Sequence, residues 1–509
     1  MLSYGEADRL SDALAVGLID KGFGHGERVA LYLQNVPQYV LGLLAIWKAG
    51  GIAVAINPML TAREVEKLIT DSTPTVLLAL DELYTVELRE VLEKSSVRRL
   101  ITTSALDWQR DDDARVLPAA RFSVPSGAED LRALIEEYDS RSPEAMTPSN
   151  DDIAVITYTS GTTGASRGAM NTHRNVETGG LAYRDWFELG ADDVVLGVAP
   201  LFHVTGLTGH VACSIAAGAS LLLSYRFQID VVLDAIHRHR PTFTVGAITV
   251  FIALGESTKA ERHHLESLTK IASGGAPVAA ATADRFQQRF GAYVHNVYGM
   301  TETTSPVLAV PVGTKAPVET ETQALSVGVP MGSACVAVLD DDGKPLPPGE
   351  LGEIAVAGPQ IVPGYWRNDA ATQAAMRDGW LLTGDVGYVD ADGWYYLVDR
   401  KKDMIVASGY KVWPREVEDV LYTYEAVLEA AVVGVPDPYR GETVKAYVSL
   451  RSGYSTTPEE LIEYCRGRLA AYKSPRQIEV VETIPKTATG KVLRRQLRDK
   501  DGRTSNVTS

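Results

Sequence analysis

The residues with the greatest chemical potential lie in one short run, ITYTSGTTGASRG, from Ile156 to Gly168. Thr159, Ser160, Thr162 and Thr163 supply hydroxyl donors, and Arg167 offers a fork of N–H groups suited to paired oxygens. Gly161 and Gly164 permit positive φ and close approach of a ligand to the backbone, whose amides can form an anion-binding concavity. The run follows an apolar stretch, Ile153–Tyr158, that reads as a strand. A phosphate group would suit such a loop. It is not a Walker A loop, because the two glycines are too close and no Lys-Ser/Thr follows. Alone, the run also fits an ordinary glycine-threonine turn.

The elements around it constrain the fold. At 509 residues the chain exceeds what one core organises and divides into at least two domains. Short β-branched runs alternate with helical patterns: strands at 28–33, 52–56, 75–80, 153–158, 194–198, 220–223 and 243–245, and helices at 37–49 and 61–70. That rhythm predicts an α/β fold with parallel-rich sheets covered by helices. Residues 104–148 are polar and read as a connecting region. Beyond DDDGKPLPPGE (340–350), proline and glycine turns separate short strands at 351–357 and 393–398, predicting a β-rich subdomain with antiparallel pairing. After the charged DRKKD (399–403), a smaller α+β pattern follows: helix 412–422, strands 428–435 and 443–450, helix 458–469 and strand 477–481. We place the domains at 1–399 and 403–509, with a hinge at 400–402 where a charged segment joins two separately packed units.

Composition excludes several functions. No apolar run reaches the ~20 residues of a membrane span. The N-terminus carries no signal segment, which predicts a cytoplasmic protein. Three dispersed cysteines form neither a disulfide framework nor a thiolate metal site. A net charge of −16 argues against nucleic-acid binding. The basic run 485–503 is either a solvated tail or part of an anion site.

Five further stretches occur in order: SGGAP (273–277), YGMTE (298–302), WLLTGD (380–385), DRKKDMIVASGYKVWPREVE (399–418) and PKTATGK (485–491). With the hydroxyl-rich loop, they make the sequence resemble the adenylate-forming superfamily, in particular its acyl-CoA synthetases, over nearly the whole chain. The resemblance implies ATP-dependent activation of a carboxylic acid to an acyl-adenylate, then transfer to coenzyme A. It implies Mg²⁺, held by Glu302 with Thr159, and a mobile C-terminal domain.

By the same resemblance, the Ser160–Gly164 loop with Thr159 and Arg167 takes the ATP phosphates, and the Thr301 hydroxyl meets the α-phosphate. Tyr298 stacks on adenine beside Gly299, and Gly275 and Ala276 read the base edge. Asp385 accepts both ribose hydroxyls, with Arg400 alongside. Lys491 swings in for adenylation, Lys402 is the pivot, and Ser408, Gly409 and Tyr410 face the incoming thiol. His203, in PLFHVTG, lies beside the carboxylate pocket and gates it.

Three departures from the family pattern stand out. Ala165-Ser166-Arg167-Gly168 replaces a loop end that usually reads Pro-Lys-Gly, the chain begins almost at the LSYGE helix start, and Ile248 occupies a position that is commonly proline. The start predicts either a late recorded beginning or reduced contacts at the first edge. Around His203, 244–249, 274–277 and 298–303, the small Gly246 and Ala247 predict room for a medium or long acyl chain. A free-standing adenylation enzyme that loads an aryl or acyl group onto coenzyme A or an external carrier protein is the alternative reading, with a non-catalytic nucleotide binder and a luciferase-like oxygenase remote. Peripheral membrane contact and a homodimer stay open.

Overall fold

The computed structural model describes residues 1–109, 112–123, 125–144, 148–159, 166–320, 324–407, 410–437, 441–487 and 490–504. Its first sheet is ordered Glu129–Asp130, Arg99–Thr103, Val76–Leu80, Arg28–Tyr32, Ile52–Ala55, Ile153–Thr159 and Arg167–Thr172. Every pairing is parallel except the last, which folds back antiparallel. The second sheet places Val294–Met300, Lys270–Ser273, Phe243–Gly246, Val194–Gly197 and Ser220–Leu223 in parallel. Ser305–Ala309 and Val329–Pro330 extend it antiparallel.

Helices fill the space between the sheets because they are apolar on two sides. Helix His173–Trp186 sends Val176 into the core of the first sheet and Tyr183 into that of the second. Its Gly179 and Gly180 are required by close packing: a β-carbon at Gly179 would lie 2.9 Å from the Thr304 carbonyl, and one at Gly180 2.8 Å from Ala212. The segment opposite runs from Val204–Gly206 through a π-helical turn, Leu207–Ala212, into Cys213–Ala217.

The β-rich subdomain is antiparallel as predicted, its strands Cys335–Leu339, Gly352–Ala357, Trp380–Val389 and Tyr395–Arg400 pairing in that order. A turn, Lys401–Asp403, leads to the fourth sheet, where Gly441–Leu450 is central between Ile405–Ala407, Val427–Asp437 and Gln477–Val480.

Three expectations need correction. The polar stretch 104–148 contains helix Leu131–Glu137, which Asp130 starts by accepting from the Ala133 amide at 3.0 Å. The helix expected from Val412 begins at Pro414, because Tyr410–Val412 is the second arm of a hairpin and Pro414 fits the first helical turn. The helix expected to reach Leu469 ends at Arg466, before Gly467. The basic run near the end is paired by acids of its own domain: Lys486 with Glu429, Lys500 with Glu479, and Arg494 with Glu418.

Candidate active site

The candidate site lies where both large-domain sheets, the β-rich subdomain and the small domain meet. Strand Val294–Met300 ends in a single 3₁₀ turn, Thr301–Thr303, that buries Thr301 and Glu302. The turn is tight: Thr304 and Ser305 have φ of 49° and 80°, and a β-carbon at Gly299 would fall 2.3 Å from the Ser305 carbonyl. Asn171 holds it from the first sheet, its amide donating to the Thr301 carbonyl at 3.2 Å and to the Thr304 hydroxyl at 2.9 Å. Thr301 therefore rests on a braced backbone.

Glu302 is oriented by the Tyr365 hydroxyl, which donates to Oε1 at 2.6 Å. Arg167 lies 5.5 Å from the centre of the same phenol ring. Arg167 is the described end of the hydroxyl-rich loop; Thr159, on the other arm, donates to its carbonyl at 3.4 Å. Ser160, Gly161, Thr162, Thr163 and Gly164 lie outside the described residues.

On the opposite side, Asp385 pairs in register with Arg400 across adjacent strands. Its Oδ2 accepts the Tyr298 hydroxyl at 2.7 Å and its Oδ1 faces Arg400 Nε at 3.3 Å. Each carboxylate oxygen retains a further acceptor direction, so the fork expected for ribose is partly occupied but open. Burial and the Asp385 charge hold the Tyr298 phenol well above its ordinary range, so it remains a donor. Gly275, at φ 79°, turns the SGGAP loop with open space beside it, and Gly274 cannot carry a β-carbon without meeting the Val297 carbonyl at 2.9 Å. The backbone from Gly275 to Ala276 is thereby left approachable.

The small domain contributes Lys491. A β-carbon on the preceding Gly490 would sit 2.7 Å from Thr249 Oγ1 and 3.1 Å from Ala247, so the turn is seated on the start of helix Ile248–Glu256. Burial, then the positive charge of Arg400, holds the Lys491 ammonium down to about 7; Asp385 opposes the shift, and Lys402 and Arg494 add to it. His203 is held down to about 4, first by burial and then by the Lys491 charge. The two groups thus face one another electrostatically. His203 Nδ1 accepts from the Thr205 amide at 3.3 Å, which leaves the ring proton on Nε2. A neutral imidazole of such low basicity is a hydrogen-bond donor, not a general base at neutral pH.

Other contacts join the chain before the Lys401–Asp403 turn to the chain after it. Arg451 pairs with Glu256, and Arg285 donates to the Tyr422 carbonyl at 3.4 Å. Arg415 donates to the Leu397 carbonyl at 3.1 Å, and its amide to Asp399 at 2.9 Å. Burial and Arg400 lower Lys402 in the connecting turn. Tyr410 is exposed and stacks on Tyr472 at 4.7 Å, while Ser408 and Gly409 are outside the described residues. At Gly246 a β-carbon would lie 3.2 Å from Val198, so this glycine accommodates the neighbouring side chain rather than leaving a vacancy.

Nothing local in the sequence marks Asn171 or Tyr365. Tyr365 sits in GYW, which reads as a turn. Its role depends on segment 364–366 pairing with strand Arg167–Thr172, and no local pattern announces that contact.

With this geometry in place, comparison with known proteins is decisive. Residues 1–366 match the family described as AMP-binding enzyme, and residues 416–491 match the AMP-binding enzyme C-terminal domain. The chain belongs to this family, and within it to the acyl-CoA synthetases. It is 38% identical to a long-chain-fatty-acid–CoA ligase of Bacillus subtilis, covering 97% of this chain and 89% of that protein. It is 35% identical to a feruloyl-CoA synthase of an Amycolatopsis species, covering 98% and 94%. Among solved structures it resembles the anthranilate CoA ligase AuaEII in complex with anthranoyl-AMP, with a TM-score of 0.88, 27% identity and coverage of 99% and 92%. ATP-bound MatB from Rhodopseudomonas palustris gives a TM-score of 0.86 at 28% identity, covering 98% and 93%. Among the described residues, no helix is long and apolar enough to cross a membrane.

Proposed function

We propose that this protein is an AMP-forming acid–CoA ligase acting on medium- or long-chain fatty acids. A carboxylate oxygen attacks the α-phosphorus of ATP and pyrophosphate leaves. The thiol of coenzyme A then attacks the acyl carbonyl, and AMP leaves. The observation that carries this reading is the seating of Lys491 among Arg400, Asp385 and His203. A cation there favours the charge that develops between carboxylate and phosphate, with no proton transfer required. Thr301 donates toward the same phosphate, and Asp385, Tyr298 and the Gly275–Ala276 backbone hold the nucleoside. Arg167 extends the positive field toward the leaving group. The pose described is the one for adenylation; rotation about Lys402 would withdraw Lys491 and bring Tyr410 toward the thiol path.

The donor set fits Mg²⁺. Tyr365 occupies one oxygen of Glu302, and no described residue donates to the other. Among the described residues, no group of three metal-ligating side chains occurs. An ion that keeps most of its shell as water and nucleotide oxygens and takes one carboxylate matches that arrangement. Bound there, the ion would neutralise phosphate charge. The absence of a membrane-spanning helix among the described residues is compatible with a cytoplasmic location, which remains part of the proposal.

Carboxylate-dependent ATP–pyrophosphate exchange over a series of acids, followed by detection of the CoA thioester, tests the reading. Fatty acids of intermediate to long chain should support exchange best. The similarity to feruloyl-CoA synthase favours one second reading, an aryl acid substrate, and preference for hydroxycinnamates in the same series would establish it. No exchange with any acid would overturn both.

The depressed Lys491 sets a pH signature. Because its ammonium is held near 7 in the docked pose, docking without nucleotide weakens as pH falls from the free lysine range toward 7, and no further below it. ATP phosphates restore the charge. Binding of a non-cleavable ATP analogue should therefore take up more protons at pH 8 than at pH 6. Calorimetry in buffers of different ionisation enthalpy measures this, and uptake should vanish in Lys491→Ala.

A further inference from the structure

We propose that Tyr365 is a positioning residue for Glu302, fixing the carboxylate so that one oxygen stays available to the divalent cation; this rests on the reading of Glu302 as the protein ligand of that cation. The hydroxyl–carboxylate distance of 2.6 Å is in the range of charge-assisted bonds. Glu302 is only 7% exposed and forms no ion pair with a described residue. A buried carboxylate supported by one neutral donor is poorly compensated and gains from a cation on its open side.

Tyr365 is itself immobilised. Its amide donates to the Thr372 hydroxyl at 3.0 Å, and the amide of Trp366 donates to the Gly168 carbonyl at 2.7 Å. Gly364 has φ 152°, and a β-carbon there would lie 2.5 Å from Thr372. The Val362 amide donates to the Glu302 carbonyl at 3.0 Å, so the same segment grips the 3₁₀ turn. Arg167 over the ring ties this anchor to the phosphate loop. One phenol thus sets the spacing between the loop's cation and the metal carboxylate.

The test is Mn²⁺ binding to the full-length protein with the non-cleavable α,β-methylene analogue of ATP, read from the electron paramagnetic resonance of free Mn²⁺. Tyr365→Phe keeps the ring and removes the donor. It should weaken Mn²⁺ about 10- to 100-fold, the usual consequence of losing a partner of a metal ligand. Analogue affinity in EDTA should stay unchanged, while the melting temperature falls by no more than the loss of one buried hydrogen bond implies. Tyr365→His, which retains a ring donor, should recover part of the lost affinity, a rescue that packing alone does not produce. Glu302→Gln, measured in parallel, should also weaken Mn²⁺. If Glu302→Gln weakens the ion and Tyr365→Phe does not, the positioning role is overturned while Glu302 remains a ligand. If neither changes Mn²⁺ affinity, the ligand reading itself falls.

Discussion

Replacing Lys491 with alanine should reduce acyl-adenylate formation by about three orders of magnitude and leave thioester formation from supplied acyl-AMP within a few-fold of the native rate. The size follows from one charge at about 4 Å from the reacting junction in an effective dielectric of about 20, roughly 4 kcal/mol. The asymmetry follows from geometry. The turn at Gly490 rests on Thr249 and Ala247, and under the proposed two-pose mechanism that seating would be lost when the small domain rotates. Single-turnover measurement of each half-reaction separates the two effects. Equal losses in both steps, in a protein that melts normally, would mean that Lys491 does not leave.

Replacing Asp385 with alanine should raise the KM for ATP by about 100-fold. Two losses combine: the oxygens that would accept ribose hydroxyls, and the partner that holds Tyr298 and Arg400. A hydrogen bond to a charged group contributes about 1.5–3 kcal/mol, so losing one or two gives a change of this order. Asp385→Asn keeps the shape and one acceptor and should recover part of the loss. Steady-state exchange kinetics at saturating acid decide the matter; an unchanged KM for ATP with a reduced kcat would place Asp385 away from the nucleoside.

Much of this was legible in the sequence. Strand-helix alternation carries the parallel sheets, because buried parallel strands read as short continuous apolar runs such as Val76–Leu80. Proline-glycine turns carry the switch to antiparallel pairing after Asp340. Five ordered motifs carry the family, and the structure brings Lys491, Asp385, Arg400 and His203 together although up to 288 positions separate them (491 − 203). What escaped was contact without a local signature. Helix Leu131–Glu137 is only seven residues long inside a polar stretch, and the start of the next helix reads two residues early because Val412 also continues that helix's apolar pattern. Asn171 and Tyr365 reach the Thr301–Thr303 turn from more than 60 residues away, at separations of 130 and 63. The Arg167 substitution was visible, but its placement on Tyr365 was not.

The buried cluster at the base of the small domain is the counterpart of the docked lysine. Arg494 meets Glu418 at 2.8 Å and Asp399 at 3.8 Å, and burial raises the neighbouring Asp419 to about 7. Asp399 lies in the strand Tyr395–Arg400 and Arg494 in the last helix, so this contact joins the two sides of the proposed hinge, as Arg451–Glu256 does.

The most direct test is to fix the adenylating pose covalently. Glu256→Cys and Arg451→Cys, in a protein with the exposed Cys335 replaced by serine, can be joined by a short bismaleimide that is cleavable under mild conditions. The joined enzyme should form acyl-adenylate in a single turnover, fail to transfer the acyl group to coenzyme A, and recover transfer once the link is cut. Complete thioester formation by the joined enzyme would contradict the two-pose mechanism.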